Sequence, residues 1–249
     1  MLLYPIGSTE SCRWAAHRLQ QQGIALTDHP SPDVTHLMLD VPSFAKDGNL
    51  RGGRSLKPLL QMLPPKVQII GGNLDRPGLE GYARLDLLKN PLYLAKNAAI
   101  TADCALRLAG GRMKCTFADS AALVIGWGRI GKCLSQLLRS AGASVTIAAR
   151  KESDRAMASA LGFSAVSLAQ IPSILPAFQL LFNTVPAPVL SSESLQSCRE
   201  CLLFELASTP GLDSPHVIAA PGLPGIWAWK TSGELIAKTC LHFWKEEAL

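Results

Sequence analysis

The chain has no long apolar run. Nothing in it approaches the roughly 20 consecutive apolar positions of a membrane-spanning helix, so no membrane association is expected. Charge is scarce too. Charged residues make up 17% of the chain, and 24 Lys and Arg against 19 Asp and Glu leave a net charge of +5 with no dense basic cluster. This argues against a nucleic-acid surface and suits an anionic small molecule. The five histidines, His17, His29, His36, His216 and His242, lack metal-ligand spacing, so they read as structural or solvated and no metal is expected. Seven cysteines are scattered, and Cys198-Arg-Glu-Cys201 has no second C-x-x-C to complete a metal site and no redox setting. Free thiols in a reducing compartment are the simpler account. The opening Met1-Leu-Leu-Tyr-Pro5 lacks the basic start and the length of a secretory signal. A cytoplasmic location is therefore expected.

Apolar material is plentiful. Hydrophobic residues make up 48% of 249, enough for the cores of two modest domains. The most informative stretch is Leu123-Val-Ile-Gly126-Trp127-Gly128-Arg129-Ile130-Gly131, followed by Leu134, Leu137 and Leu138 at helical spacing, Gly142, and a second apolar run over 145–149. Strand, Gly-x-Gly-x-x-Gly turn, helix and strand within about 30 residues form a dinucleotide-binding fingerprint. Gly126 permits a tight turn, Gly128 lets main-chain N–H groups approach a diphosphate, and Gly131 lets the helix lie close to the strand. The diphosphate then meets the positive end of the helix dipole. A carboxylate at the end of the second strand would favour NAD(H). Arg150 and Lys151 stand there instead and suit a 2′-phosphate, so NADP(H) is expected over NAD(H).

Before this stretch, strands are expected over 1–6, 24–26, 34–41, 67–70 and 82–88. Helices are expected from Ser8, as a cap, to Gln22, over 56–63, and over 92–109. Asp119 and Ser120 read as surface residues. After it come helices over 154–161, 168–175 (broken by Pro172) and 191–197, strands over 163–166, 180–182, 202–206 and 216–219, and a closing helix over 231–245 capped by Thr231 or Ser232. The alternation indicates an α/β protein: a C-terminal Rossmann-type doubly wound parallel sheet plus a smaller N-terminal flavodoxin-like α/β domain. The expected division is a substrate-side domain over 1–95, a connecting helix over 96–110, the dinucleotide-binding domain over 111–229, and a closing helix over 230–249 packing back toward the N-terminal domain.

In such sheets ligands lie outside the carboxyl ends of the strands. Asn183-Thr184-Val185-Pro186 is placed beside the nicotinamide ribose, Asn183 and Thr184 offering polar contacts. Ser208 follows the next strand and could bond a carboxylate. The segment 221–230 runs toward a helix N-terminus, with Leu223, Pro224 and Gly225 as substrate contacts and Lys230 adding a full charge. Ser208 and Lys230 are the catalytic candidates. Trp227 and Trp229 could line a pocket or pack between elements.

The chain resembles the A-type subunit of dipicolinate synthase from spore-forming bacteria. The motifs are Lys96-Asn-Ala-Ala-Ile-Thr-Ala-Asp-Cys104, Val124-Ile-Gly-Trp-Gly-Arg-Ile-Gly131, Asn183-Thr-Val-Pro186, Glu205-Leu-Ala-Ser-Thr-Pro-Gly211 and Ala220-Pro-Gly-Leu-Pro-Gly-Ile226 with Lys230-Thr231. The similarity covers 88–241. It implies NADP-linked dehydrogenation of a dihydrodipicolinate-type ring to pyridine-2,6-dicarboxylate, together with the flavoprotein-like B-type subunit of dipicolinate synthase, in the mother-cell cytoplasm. A dicarboxylate substrate agrees with Arg129 and Lys230. The chain departs from the family pattern in two places: Thr209-Pro-Gly-Leu212 stands in place of Arg-Pro-Gly-Gly, and Ala228-Trp-Lys-Thr231 in place of Ala-Pro-Lys-Thr. Two alternatives stay open. One is a cofactor-binding or scaffolding protein without turnover. The other is a D-2-hydroxyacid dehydrogenase-like enzyme, although that group places an Arg on the loop at Ala207 and a His on the loop at Pro221, and this chain has neither. Homo-oligomer formation is also left open.

Overall fold

A computed structural model describes residues 1–196, 198 and 200–247. Ser197, the last residue of the helix expected over 191–197, Arg199, Ala248 and Leu249 lie outside the described residues. Contacts gather the chain into two compact units, Met1–Asn97 with Pro224–Leu249, and Ala98–Leu223.

The first unit begins with β1 (Leu2–Pro5), α1 (Glu10–Gln21), β2 (Ala25–Leu26), β3 (His36–Met38), α2 (Leu56–Leu60), β4 (Gln68–Gly71) and β5 (Arg84–Asp86). All strand pairs are parallel and their order is β2-β1-β3-β4-β5, the flavodoxin-like arrangement. Strands buried on both faces read as continuous apolar runs, and Leu37 of β3 and Ile69 of β4 accordingly lie in one core with Leu56 and Leu60 of α2. The cap of α1 is Thr9, whose hydroxyl accepts from Cys12 N at 3.3 Å, and not Ser8. The helix begins at Glu10, one residue later than a Ser8 cap would set it, and the buried Asp40 carboxylate accepts from the N–H and hydroxyl of Ser8 at 2.8 and 3.0 Å and from those of Thr9 as well.

The chain continues through α3 (Pro91–Gly110), which runs across the division between the units, into the second unit. There it forms β6 (Ala121–Ile125), α4 (Arg129–Ser140), β7 (Ser144–Ala148), α5 (Glu152–Ala160), β8 (Ser164–Val166), α6 (Ile171–Ile174), β9 (Leu180–Asn183), α7 (Ser192–Leu195), β10 (Leu202–Glu205) and β11 (Ile218–Ala219). The six strands are parallel, in the order β11-β10-β9-β6-β7-β8. The chain builds outward from β6 to β8, then returns to the other side of β6 for β9. The order therefore reverses at β6, as in doubly wound dinucleotide-binding sheets. Alternate strand residues Leu123, Ile125, Leu181 and Leu203 fill one face with Ile171, Leu175 and Phe178. Phe182 and Phe204 from neighbouring strands stack at 4.8 Å between ring centres. Burying each contributes about 1.5–3 kcal/mol. Two local expectations are corrected. Pro172 does not break a helix but lies in the first turn of α6, where its missing N–H costs nothing. Ser120 is buried, its hydroxyl donating to Phe117 O at 2.8 Å.

The chain then passes through α8 (Leu223–Trp227) into α9 (Trp229–Glu247), which packs along α1. The closing helix is not capped by Thr231 or Ser232. Ala228 N donates to Pro224 O and Ser232 N to Ala228 O, so the backbone is already helical when it reaches them. Gly233 lies at the crossing with α1, where an added Cβ would stand 2.6 Å from Ser11 O and 2.8 Å from Trp14 Cβ. Arg18 donates from Nε to Glu234 at 2.7 Å, and Trp244 Nε1 to Gln68 at 2.9 Å, tying α9 to α1 and to β4. Gly233→Ala is expected to lower unfolding stability by about 1–3 kcal/mol through overpacking, read as a fall in the urea midpoint. An unchanged midpoint would show that the crossing can open without cost. Among the described residues, no helix is long and apolar enough to cross a membrane.

Candidate functional site

One register row crosses the carboxyl end of the second sheet: Ala148, Ile125, Asn183 and Glu205 are successive partners on β7, β6, β9 and β10. The loops that follow these residues leave the same edge, so this row collects most of the residues that the sequence singled out.

The glycine turn follows β6. Gly126 has φ 104°, and a Cβ there would overlap Thr184 Oγ1 and stand 2.9 Å from Val185 Cγ2. A Cβ at Gly131 would overlap Gly126 O. Both positions therefore need glycine for the fold itself. Gly128 is different. Its φ of −78° suits any residue, and a Cβ there would meet nothing within 4 Å. Gly128 is also the N-cap of α4 and offers no side chain, so no capping side chain takes up the first-turn N–H groups. A diphosphate fits this end: first-turn amides with no side-chain cap, a positive helix terminus, and room over Gly128.

Trp127 is buried, edge-on to Phe163 at 5.7 Å, with Lys132 Nζ 5.8 Å from its ring centre. Its side chain packs into the turn, and its buried Nε1–H has no hydrogen-bond partner among the described residues. Arg129 is exposed at the start of α4, and Ile130 is half-buried beside it.

After β7, Arg150 and Lys151 are both exposed, and neither is ion-paired among the described residues. A third cation, which sequence reasoning missed, joins them. Arg155 on the first turn of α5 donates from Nη1 to Ala149 O at 2.9 Å and to Arg150 O at 2.8 Å. Its spacing of four from Lys151 was the signal available.

After β9, Asn183 is fully buried and its amide is spent internally. Nδ2 donates to Glu205 Oε1 (2.8 Å) and Val185 O (3.0 Å), and Oδ1 accepts from Val185 N (3.0 Å). Its side chain is therefore not the free polar contact expected from the sequence. Thr184 donates from Oγ1 to Ile125 O at 2.8 Å and braces the glycine turn from behind. Val185 is half-buried and Pro186 exposed. After β10, Ser208 is exposed and its hydroxyl makes no hydrogen bond among the described residues.

Leu223 and Pro224 are buried, and Gly225 is exposed on α8. The segment expected to be a loop leading to Lys230 is thus largely helical. Lys230 lies on the first turn of α9, with Nζ 5.1 Å from the ring centre of Trp14 and 5.3 Å from that of Trp229. Trp229 itself packs edge-on against Trp14 at 5.7 Å.

Comparison with known proteins bears on this arrangement. No protein-family model matches the chain. A stretch of 150 residues is 28% identical to the A-type subunit of dipicolinate synthase from Bacillus subtilis, covering 57% of this chain and 50% of that relative's length. The crystal structure of the same Bacillus subtilis protein superposes with a TM-score of 0.82 at 20% identity, over 98% of this chain and 95% of that one. The chain is similar in sequence and in fold to the A-type subunit of dipicolinate synthase. The corresponding protein from Bacillus halodurans gives a TM-score of 0.83 at 17% identity, over 97% and 96% of the two chains. D-lactate dehydrogenase from Escherichia coli shares the fold, with a TM-score of 0.63 at 14% identity, over 100% and 97% of the two chains. The sequence match spans half the length of the curated relative.

Proposed function

We propose that the chain binds NADP(H) at the Gly126–Gly131 turn and oxidises a dihydrodipicolinate-type ring to pyridine-2,6-dicarboxylate, in partnership with the flavoprotein-like B-type subunit of dipicolinate synthase. Gly128 carries the nucleotide assignment. Neither backbone conformation nor packing demands glycine there; beyond the N-cap preference for small residues, the open space over it supports the close approach of a ligand. The amides at the start of α4 hold the diphosphate. Arg150 and Lys151 hold the 2′-phosphate, with Arg155 steadying the turn between them and β7. Thr184, Val185 and Pro186 line the nicotinamide half.

When bound, the cofactor supplies the hydride acceptor. Passing hydride from the ring to the nicotinamide and releasing a proton to solvent gives an aromatic product, so the protein's main task is to hold the ring in position. Ser208 and Arg129, both exposed on the unit that carries the glycine turn, are assigned to the substrate carboxylates.

A second reading, a cofactor-binding protein without turnover, is favoured by two features. Thr209 stands where the resemblance has an arginine, and the Lys230 ammonium lies over two indole rings. Reduction of NADP⁺ at 340 nm with freshly prepared dihydrodipicolinate precursor, with and without the B-type partner, separates the two. Turnover is expected; bound nucleotide with no turnover in either condition would select the second reading.

A further inference from the structure

We infer that Glu205 is a positioning residue that sets the loops for the nicotinamide half of the dinucleotide, an inference that rests on the nucleotide assignment above. Glu205 ends β10 and is 4% exposed. A buried carboxylate is costly unless its oxygens are met, and here both are. Oε1 accepts from Asn183 Nδ2 at 2.8 Å and Ala207 N at 3.2 Å, and Oε2 accepts from Gly211 N at 2.7 Å and Leu212 N at 3.2 Å. One side chain thus closes the loop after its own strand and reaches the loop after β9.

The connection continues. Asn183, oriented by Glu205, holds both the N–H and the C=O of Val185. The next residue along, Thr184, bonds Ile125 O beside the glycine turn. The two loops are also in direct register, since a Cβ at Gly211 would stand 2.5 Å from Asn183 Nδ2 and overlap Ala187 O. In a doubly wound sheet the adenosine half lies over β7 and the diphosphate over β6, which leaves β9 and β10 for the nicotinamide half. Glu205 therefore acts on one half of the ligand without touching it.

Glu205→Gln tests this, because glutamine must put an N–H₂ where one carboxylate oxygen was. Each oxygen faces two N–H donors, so either amide orientation sets donor against donor. Titration calorimetry is run with NADPH and with adenosine 2′,5′-bisphosphate, which lacks the diphosphate and nicotinamide half. The wild-type chain is expected to bind both. Glu205→Gln is expected to weaken NADPH about tenfold and leave the bisphosphate within twofold. Glu205→Asp keeps two acceptor oxygens on a shorter stem and is expected to weaken NADPH two- to fivefold, again sparing the bisphosphate; it decides the matter if Glu205→Gln does not fold. Equal weakening of both ligands would show that Glu205 merely supports the domain, and no weakening of either would show that the loops do not depend on it. Both results overturn the inference. A wild-type chain that binds neither ligand overturns the nucleotide assignment itself and the inference with it.

Discussion

Gly128→Ala is expected to unfold within about 2 °C of wild type and yet bind NADPH about 100-fold more weakly, a loss of about 2.7 kcal/mol. The new methyl group meets no protein atom within 4 Å and φ at that position suits any residue, so the fold loses only about 0.5 kcal/mol, by which glycine outranks alanine at an N-cap. The ligand loses more, because the methyl group occupies the approach to the amides of α4. Gly131→Ala makes the contrast. Its methyl group would overlap Gly126 O and lie 3.1 Å from Gly126 C, and backbone atoms at the start of a packed helix cannot swing aside. Stability is expected to fall by about 1–3 kcal/mol along with binding. Thermal unfolding by circular dichroism and NADPH titration by calorimetry read both variants. Retention of NADPH affinity within twofold in Gly128→Ala would remove the α4 terminus as the diphosphate site.

Neutralising Arg150 and Lys151 together is expected to cost NADPH 30- to 100-fold in affinity and NADH less than threefold. Charge-assisted hydrogen bonds contribute about 1.5–3 kcal/mol each, discounted here because both side chains are exposed and screened by salt. The variant leaves Arg155 in place, so the carbonyls of Ala149 and Arg150 stay held and the turn should survive. The NADPH loss should shrink as salt rises, since the wild-type advantage is itself electrostatic. Parallel losses for the two nucleotides would assign the pair a structural role. Tighter binding of NADH than NADPH by the wild-type chain would reverse the cofactor assignment outright.

Much of the six-stranded unit was legible in the sequence because glycines report steric facts locally. Gly126 and Gly131 announce a turn and a close approach that the structure then displays. The flanking apolar runs announced parallel strands for the same reason: burial on both faces leaves little room for polar residues. Asn183 was misread because its partner, Glu205, is 22 residues away in sequence and adjacent only once β9 and β10 pair. Trp127 was legible as part of the turn, but its direction depends on Phe163, which only the return of the chain through β8 supplies. The start of the closing helix was misplaced because good capping residues, Thr231 and Ser232, follow a segment whose helical turn begins at Leu223. A local preference gave way to the backbone already laid down before it.

The partition of the chain has a consequence for its birth on the ribosome. The unit with the six-stranded sheet is one continuous segment, Ala98–Leu223, whereas the other unit needs Met1–Asn97 and the stretch from Pro224 onward. Vectorial synthesis therefore completes the second unit first, although its residues are made later than most of the first. Until α9 emerges, the flank of α1 around Ser11 and Trp14 has no Gly233 to close on it, and Gln68 waits for Trp244. The half that starts the chain is the half that finishes last.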